Sequence, residues 1–238
     1  MADIKSNLIG WWTMDKSSID GTTLKDSGPN AMNATLVGNP TSVPGKVGQA
    51  MNFDGLTQWA NIGDPQNNSS PAPLQFGATD DVTISFWVKM PKPSTIPDSY
   101  SRIVYIGGAD SGLFYRKATP QLEWKNFTGV ANTRAIVPEE SLFDNEWYHV
   151  IAAHNGATGE ELIYINNVLS GTPGSQPNGF AYGSWSISAS QGFSFIGNID
   201  DVRIYKRLLS ADDRAALYNY RGGKSQKLAP NFNLAPHF

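Results

Sequence analysis

The amino-acid sequence predicts an all-β protein, a two-sheet antiparallel β-sandwich with one short C-terminal helix and an extended C-terminal tail. Val82–Met90 places apolar side chains at every second position, and within Phe195–Tyr205 the apolar Val202 and Ile204 alternate with Arg203 and Tyr205, the period of a strand with one buried face. Turns rich in Gly, Pro and Asn separate these and shorter apolar segments. A chain of 238 residues, 40% of them hydrophobic, can bury the core of one such domain.

Composition excludes several classes of function. The net charge of −3, with 16% charged residues, leaves no basic stripe for phosphates, so nucleic acid is not an expected partner. Because there is no cysteine, disulfides, thiolate catalysis and cysteine-based zinc sites are ruled out. The N-terminus has no apolar run of signal-peptide length, and no later run approaches the ~20 apolar residues of a membrane helix. We therefore expect neither export by the usual route nor membrane insertion.

The N-terminal third reads as strands joined by tight turns. Leu8–Asp15 is a first strand that carries two tryptophans and ends on a carboxylate. Asp26–Asn30 has the composition of a loop. The pair Asp54-Gly55 predicts a hairpin turn because glycine tolerates positive φ, and Gln58–Ile62 is then the returning strand.

The middle of the chain predicts a central strand, three short strands and a hairpin. Val82–Met90 has the cleanest alternation, so it is expected in the centre of a sheet. Trp147–Ala153 and Leu162–Asn166 flank a Gly-rich turn and form the hairpin. The short strands are 103–106, 112–116 and 121–127, and the expected loops are 64–75, 91–100 and 170–183.

The C-terminal part predicts a strand followed by a helix. Ser210, with Asp213 three residues later, resembles a capping box at the start of a helix over Ala211–Tyr220. Gly222 can end that helix.

From Leu8 to Tyr218 the sequence resembles a laminin G-like domain of the concanavalin A-like jelly-roll type. The shared motifs are Trp12-Thr-Met-Asp15, Asp26-Ser-Gly-Pro-Asn30, Phe53-Asp-Gly55, Trp147-Tyr-His-Val150 and Ile199-Asp-Asp-Val-Arg-Ile-Tyr205. The resemblance implies one jelly-roll domain over residues 1–222. Residues 223–238 lie outside it and form the predicted tail.

The resemblance also implies a calcium site where the first and last strands meet. Carried over by position, its ligands are Asp15, either Asp26 or Asn33, and Asp200. Calcium binds six to eight hard oxygens, which such side chains supply together with carbonyls and water. The alternative is that Asp200 caps a turn while Asp201 pairs with Arg203 or Arg207.

Known catalytic arrangements are not found. Related glucanases carry Glu-x-Asp-x-x-Glu on one strand, and no glutamate of this chain stands in that spacing. Glu160 and Glu161 are expected as a solvated pair at a turn. His149 and His154, five residues apart on a strand, should face opposite sides, one as a fold histidine and one at the surface. We predict a protein that is not an enzyme.

Sugar binding requires flat aromatic rings beside hydrogen-bonding groups. The tryptophans in family core elements, Trp11, Trp12, Trp87 and Trp147, are expected to pack. Candidates for an exposed carbohydrate-binding face are Trp59, Tyr115, Trp124, Asn126, Tyr182 and Trp185. Trp124 is preferred because Glu123, Lys125 and Asn126 adjoin it. The alternative for each is that loops or neighbouring subunits cover it.

The tail, KSQKLAPNFNLAPHF, repeats Leu-Ala-Pro and is expected to dock on another chain through Leu228, Phe232, Leu234 and Phe238. This predicts assembly with neighbouring subunits, as a homo-oligomer or a virion shell. Two functions remain open: a non-catalytic surface protein of a bacteriophage virion, of decoration or fibre type, that can also bind cell-surface glycans, or an extracellular carbohydrate-binding lectin module. A glycoside hydrolase is a distant third.

Overall fold

The computed structural model describes residues 2–62, 71–77, 79–91, 100–106, 111–116, 121–125, 135–138, 142, 144–175, 184–189 and 193–222. Most of these residues lie in strands. The strands are β1 Leu8–Trp12, β2 Ile19–Asp20, β3 Thr23–Leu24, β4 Ala34–Val37, β5 Thr41–Pro44, β6 Gln49–Asp54, β7 Trp59–Asn61, β8 Val82–Lys89, β9 Tyr100–Ile106, β10 Ser111–Arg116, β11 Gln121–Lys125, β12 Ala135–Pro138, β13 Trp147–His154, β14 Glu160–Ile165, β15 Val168–Ser175, β16 Trp185–Ile187 and β17 Ile196–Tyr205. The helices are α1 Ala211–Tyr218 and the 3₁₀ turns Lys16–Ser18 and Ala72–Leu74.

Antiparallel pairing arranges the strands in two sheets. Sheet A runs β5-β6-β17-β8-β13-β14-β15, with β1 beside the second half of β17. Sheet B runs β2-β3-β4-β7-β16-β9-β10-β11-β12. One pairing, between Ile136 of β12 and Thr172 of β15, joins them at one side. This is the predicted two-sheet sandwich.

The core lies between the sheets and is centred on β8. Its four alternating apolar residues, Val82, Ile84, Phe86 and Val88, are all fully buried, as predicted. At ~1.5–3 kcal/mol each, their burial stabilises the fold by roughly 6–12 kcal/mol, an upper estimate because the unfolded chain also buries surface. β8 therefore anchors the neighbouring strands β13 and β17.

β17 changes partner halfway along its length. Residues 196–199 pair with β6 and residues 202–205 pair with β1, while β8 lies along the other side throughout. The register with β8 shifts between Asp200 and Arg203, and Asp201 has φ of +50°. The strand thus carries two carboxylates at the place where β6 and β1 diverge.

Helix α1 covers the outer face of sheet A. Ser210 and Asp213 form a reciprocal capping box, as predicted. The Tyr218 ring stacks on Trp87 of β8 at 5.7 Å between centroids. Leu217 packs into a second cluster with Ile151, Tyr205 and Leu209. Both faces of the central strands are consequently buried.

Three predicted details differ. Asp54-Gly55 does not close a hairpin: β6 belongs to sheet A and β7 to sheet B, and the Asp54 carboxylate accepts the N–H groups of residues 56–58 as the chain crosses over. Residues 170–175, the first part of the loop expected over 170–183, instead belong to β15, which the left-handed pair Asn166-Asn167 joins to β14. Helix α1 ends at Tyr218 rather than Tyr220.

No helix in the described part of the chain has the length and apolar character needed to cross a membrane.

Candidate functional site

The outer face of sheet B collects aromatic and charged side chains on β9, β10 and β11. Leu113, Tyr115, Leu122 and Trp124 point into the core cluster. Because side chains alternate along a strand, Phe114, Arg116 and Glu123 point outward. Pairing places Phe114 opposite both Arg102 and Glu123.

A β-bulge in β9 brings Arg102 and Tyr105 to this same face. Val104 pairs with Leu113, but the next residue of β10, Phe114, pairs with Arg102, so Ile103 is an extra residue. Ile103 and Val104 are both buried. The bulge therefore shifts the alternation of side chains by one residue, so that Arg102 and Tyr105 lie on the same face of the sheet. Gly112 lies opposite Tyr105 with φ of +132°, and a Cβ there would collide with the carbonyl oxygen of Val104. Glycine is therefore required at the bulge.

The Arg102 guanidinium lies between two aromatic rings. Its central carbon is 4.4 Å from the Tyr105 ring and 4.6 Å from the Phe193 ring. The backbone N–H of Arg102 also donates to the carbonyl oxygen of Phe193 at 2.8 Å. Phe193 remains 39% exposed. We call Arg102, Tyr105 and Phe193 the aromatic platform.

Next to the platform, β10 and β11 hold a buried ion pair. Glu123 is fully buried and Arg116 Nε lies 3.1 Å from its Oε1, while the Arg116 side chain is 36% exposed. Gln121 donates its amide N–H to the same carboxylate. Glu123 is the only carboxylate on the described parts of β9 to β12. The face thus presents rings and guanidinium groups, while the Glu123 carboxylate lies buried beneath and orients Arg116.

Among the described residues, most of those predicted for an exposed carbohydrate-binding face are not found exposed at the surface. Tyr115, Trp124 and Trp185 are buried, at 1%, 0% and 1% exposure, so their predicted exposure was wrong. The reason is parity: Trp124 points into the core, and its neighbour Glu123 points outward. Trp59 is half-buried at the end of β7. Asn126 and Tyr182 lie outside the described residues.

Two further sequence expectations fail through burial. Glu161, expected to be solvated, is fully buried on β14, with its Oε1 3.8 Å from Nδ1 of His154. His154 is also fully buried, although one of His149 and His154 was expected at the surface, and burial lowers the pKa of His154. His149 is buried beneath α1, as a fold histidine should be.

The carboxylates at the rim of the sandwich meet the loop between β5 and β6. Oδ2 of Asp200 accepts the backbone N–H groups of Lys46 and Val47, both at 2.8 Å. A Cβ on Gly45 would lie 2.6 Å from the same oxygen, so glycine lets the loop close on the carboxylate. Oδ1 of Asp200 is buried with no hydrogen-bond partner among the described residues. Burial, and in lesser part the charges of Asp201 and Asp15, raises the pKa of Asp200 to about 8.

The four predicted calcium ligands do not come together. Asp26 uses Oδ1 for the N–H groups of Trp11 and Gly28 and Oδ2 for that of Met32. Asn33 accepts the N–H of Asp26 through its side-chain oxygen. Within the residues that the structure describes, no group of three acidic or histidine side chains could hold a metal ion. Only Asp200, with its unpartnered oxygen, and Asp15, whose Oδ1 accepts the Gln49 N–H at 2.7 Å, fit a cation. Calcium here would take its other ligands from carbonyls and water.

The alternative expectation for these aspartates is observed. Asp200 caps the loop of residues 45–49, and Asp201 pairs with Arg203 at 3.1 Å. Asp201 also accepts the indole N–H of Trp11 at 2.6 Å.

A protein-family model, described as the concanavalin A-like lectin/glucanases superfamily, matches residues 54–213, more than half of the chain. The chain belongs to this superfamily. The resemblance seen in the sequence is thereby confirmed, and the matched range includes the aromatic platform, the Glu123–Arg116 pair and Asp200.

Solved structures of the same superfamily fold align with nearly the whole chain. The binding domain of Paraclostridial mosquitocidal protein 1 aligns with a TM-score of 0.69 and 16% identity, covering 91% of this chain and 53% of its own. The receptor-binding domain of botulinum neurotoxin D has a TM-score of 0.62 and 17% identity over 91% and 53% of the two chains. Domain 4 of AbnA, a GH43 arabinanase from Geobacillus stearothermophilus, in complex with arabinotriose, has a TM-score of 0.58 and 18% identity over 89% and 98%.

The superfamily member described here spans about half the length of the toxin binding domains that it matches. At these identities the likeness shows the fold alone. A search of the curated proteins finds no match to the chain. The predicted tail residues Leu228, Phe232, Leu234 and Phe238 lie outside the described residues.

The aromatic platform was not found from the sequence. Arg102 and Tyr105 stand three apart, so regular alternation would place them on opposite faces. Only the bulge at Ile103 unites them, and Phe193 comes from a distant segment. The signal available in the sequence was Gly112 opposite the bulge.

Proposed function

We propose that this protein binds glycans without catalysis, through the outer face of sheet B. The observation that carries the proposal is the aromatic platform, in which the bulge in β9 places Arg102 and Tyr105 on one face beside Phe193. The apolar face of a sugar ring packs on aromatic rings, and its hydroxyls bond to guanidinium and carboxylate groups. Both kinds of contact are available there.

The charges of this face favour binding over hydrolysis. Glycosidases use two carboxyl groups on either side of the scissile bond. The described parts of β9 to β12 carry one, Glu123, and it is paired with Arg116. In this arrangement the buried Glu123 orients the guanidinium of Arg116, whose side chain is 36% exposed.

Printed descriptions of similar structures support a binding role. Two are a binding domain and a receptor-binding domain of toxins, and one is a domain in complex with arabinotriose. Other similar structures are sialidases of Trypanosoma rangeli, whose chains are about three times longer than the aligned part. Arabinotriose and sialylated oligosaccharides are therefore the first probes.

Placement on a bacteriophage virion, with neighbouring subunits as partners, remains a proposal that rests on the sequence of the tail. The alternative remains an extracellular lectin module. Glycan binding by the aromatic platform is compatible with both, since a surface protein of a virion can also bind cell-surface glycans.

The test is a glycan array probed with the full chain, with calcium and after chelation. We expect binding to a defined group of sugars, weakened about fivefold in Tyr105→Ala because loss of a stacked ring costs on the order of 1 kcal/mol. Tyr164→Ala is the matched control, since Tyr164 stacks on Arg214 at 4.1 Å on the other sheet.

Equal binding by Tyr105→Ala and the wild type, or no binding by the folded chain, would contradict the proposal. Binding that chelation abolishes but Tyr105→Ala leaves intact would move the site to the rim at Asp200.

A further inference from the structure

A cavity on the far side of the sandwich from the aromatic platform lies between the N-terminal segment, the loop after β1 and the end of α1. Its volume is about 320 Å³, within the range of ligand pockets. Most of its wall is apolar. The lining residues are Ile4, Leu8, Trp11, Pro29, Arg203 and Tyr220, with Lys5, Ser27 and Gly28 at the edge.

The guanidinium of Arg203 lines this cavity, and a neighbouring carboxylate neutralises its charge. The guanidinium is 2% exposed and lies between the rings of Trp11 and Tyr220, at 4.4 and 4.3 Å. Asp201 neutralises it at 3.1 Å. Because the charge is already paired, the cavity presents rings and aliphatic groups rather than a site for an anion.

The cavity walls are fixed by hydrogen bonds, so the site is preformed. Arg207 donates to the carbonyl oxygens of Asp3 and Ser6 at 2.7 and 2.9 Å, and the Tyr205 hydroxyl donates to that of Ile4 at 3.0 Å. On the opposite wall, Asp26 accepts the N–H of Gly28 at 2.7 Å. A preformed cavity costs little ordering entropy on binding.

We propose that this cavity binds a Leu-Ala-Pro segment from the C-terminal tail of a second copy of the chain. Residues 223–238 lie outside the described residues and begin three positions after Tyr220, which forms one wall. They contain Leu-Ala-Pro twice, at 228–230 and 234–236. Proline-containing extended segments bind grooves lined by aromatic rings, as Trp11, Tyr220 and Pro29 line this one.

The path of the chain favours a second copy over the same molecule. At Gly222 the backbone has left the cavity and approaches Val47, whose Cγ1 would be 3.6 Å from a Cβ at this position. Val47 belongs to the loop that caps Asp200, and it does not line the cavity. Residues 223–238 are long enough to reach a second copy, since 16 residues span up to about 50 Å when extended. Two copies that exchange tails form a closed dimer with two identical contacts.

Sedimentation of the full chain tests this interface, which does not depend on glycan binding. Between about 1 and 100 µM the mass should rise from one chain towards two, because association follows mass action. Pro29→Glu alters an exposed wall residue, and the double variant Leu228→Glu with Leu234→Glu alters the tail. Each should weaken self-association about tenfold or more.

Two controls make the outcome decisive. Leu56→Glu places the same charge on a residue that is 60% exposed and far from the cavity, and should dimerise like the wild type. A mixture of the Pro29→Glu chain and the tail variant should form heterodimers, since one intact cavity meets one intact tail. A wild-type mass of one chain at every concentration would overturn the proposal, as would dimerisation of Pro29→Glu at wild-type strength.

Discussion

His149 shows how one residue under the C-terminal helix connects packing to pH dependence. Its ring lies 5.0 Å from Trp87 and 6.1 Å from Tyr218, and Nε2 is 3.0 Å from the Ser85 hydroxyl. Burial, and in lesser part the positive charge of Arg203, lowers the pKa of His149 to about 3. The folded protein therefore holds this histidine neutral at pH values where the unfolded chain, with a pKa of about 6.5, protonates it.

We predict that the free energy of unfolding falls as pH falls from about 6.5 towards 3, because the unfolded state binds one proton more than the folded state in that window. The contribution is at most about 1.4 kcal/mol per pH unit. Urea unfolding at several pH values should show a shallower slope for His149→Gln, which keeps a hydrogen-bonding side chain without the titration. Parallel slopes for the two proteins would contradict the lowered pKa.

Also at the scale of single residues, the wrong prediction for Trp124 shows that the exposure of a side chain depends on which face of its strand it occupies. The segment Gln121–Lys125 was correctly predicted as a strand, and its composition correctly drew attention to it. The sequence could not tell which side faces the core, since Glu123 and Trp124 are both fully buried. Covering both faces removes the contrast between polar and apolar positions from which parity is inferred.

At the scale of elements, β17 and the loop after β5 form the rim at which calcium was predicted. Asp200 combines a buried oxygen without a partner and two backbone N–H bonds, and Asp15 adds a second carboxylate nearby. A cation would compensate the two negative charges and bind the unpartnered oxygen.

We predict that calcium raises the melting temperature of the wild type and not that of Asp200→Asn, because a ligand stabilises the state that binds it. Asp26→Asn is the control: its carboxylate caps three N–H groups, so this variant should melt lower but keep the calcium shift. Calorimetry with calcium and with chelator measures both. An equal shift in Asp200→Asn, or none in the wild type, would count against a calcium site.

Elements with strong local signals were predicted well. The alternation of β8 and the capping box of α1 each have a local physical cause in a few neighbouring residues. The bulge in β9 and the crossing of the chain from β6 to β7 depend on which strands pair, which the local sequence does not specify. For this reason the fold could be predicted, whereas the aromatic platform could not.

At the scale of the whole molecule, the outer faces of the two sheets differ. The outer face of sheet A is covered by α1, whose Tyr218 and Leu217 bury Trp87 and Ile151. The outer face of sheet B keeps the aromatic platform, with Phe193 partly exposed. We propose that the covered face of sheet A serves stability and the outer face of sheet B serves binding.

The dissociation constant of a bound glycan, measured by calorimetry for two alanine variants, tests this division most directly. Phe193→Ala and Leu56→Ala each remove an exposed apolar side chain, 39% and 60% accessible, but only Phe193 belongs to the aromatic platform. We predict that Phe193→Ala weakens binding about tenfold while Leu56→Ala leaves it unchanged. Wild-type affinity in Phe193→Ala would contradict glycan binding by the outer face of sheet B.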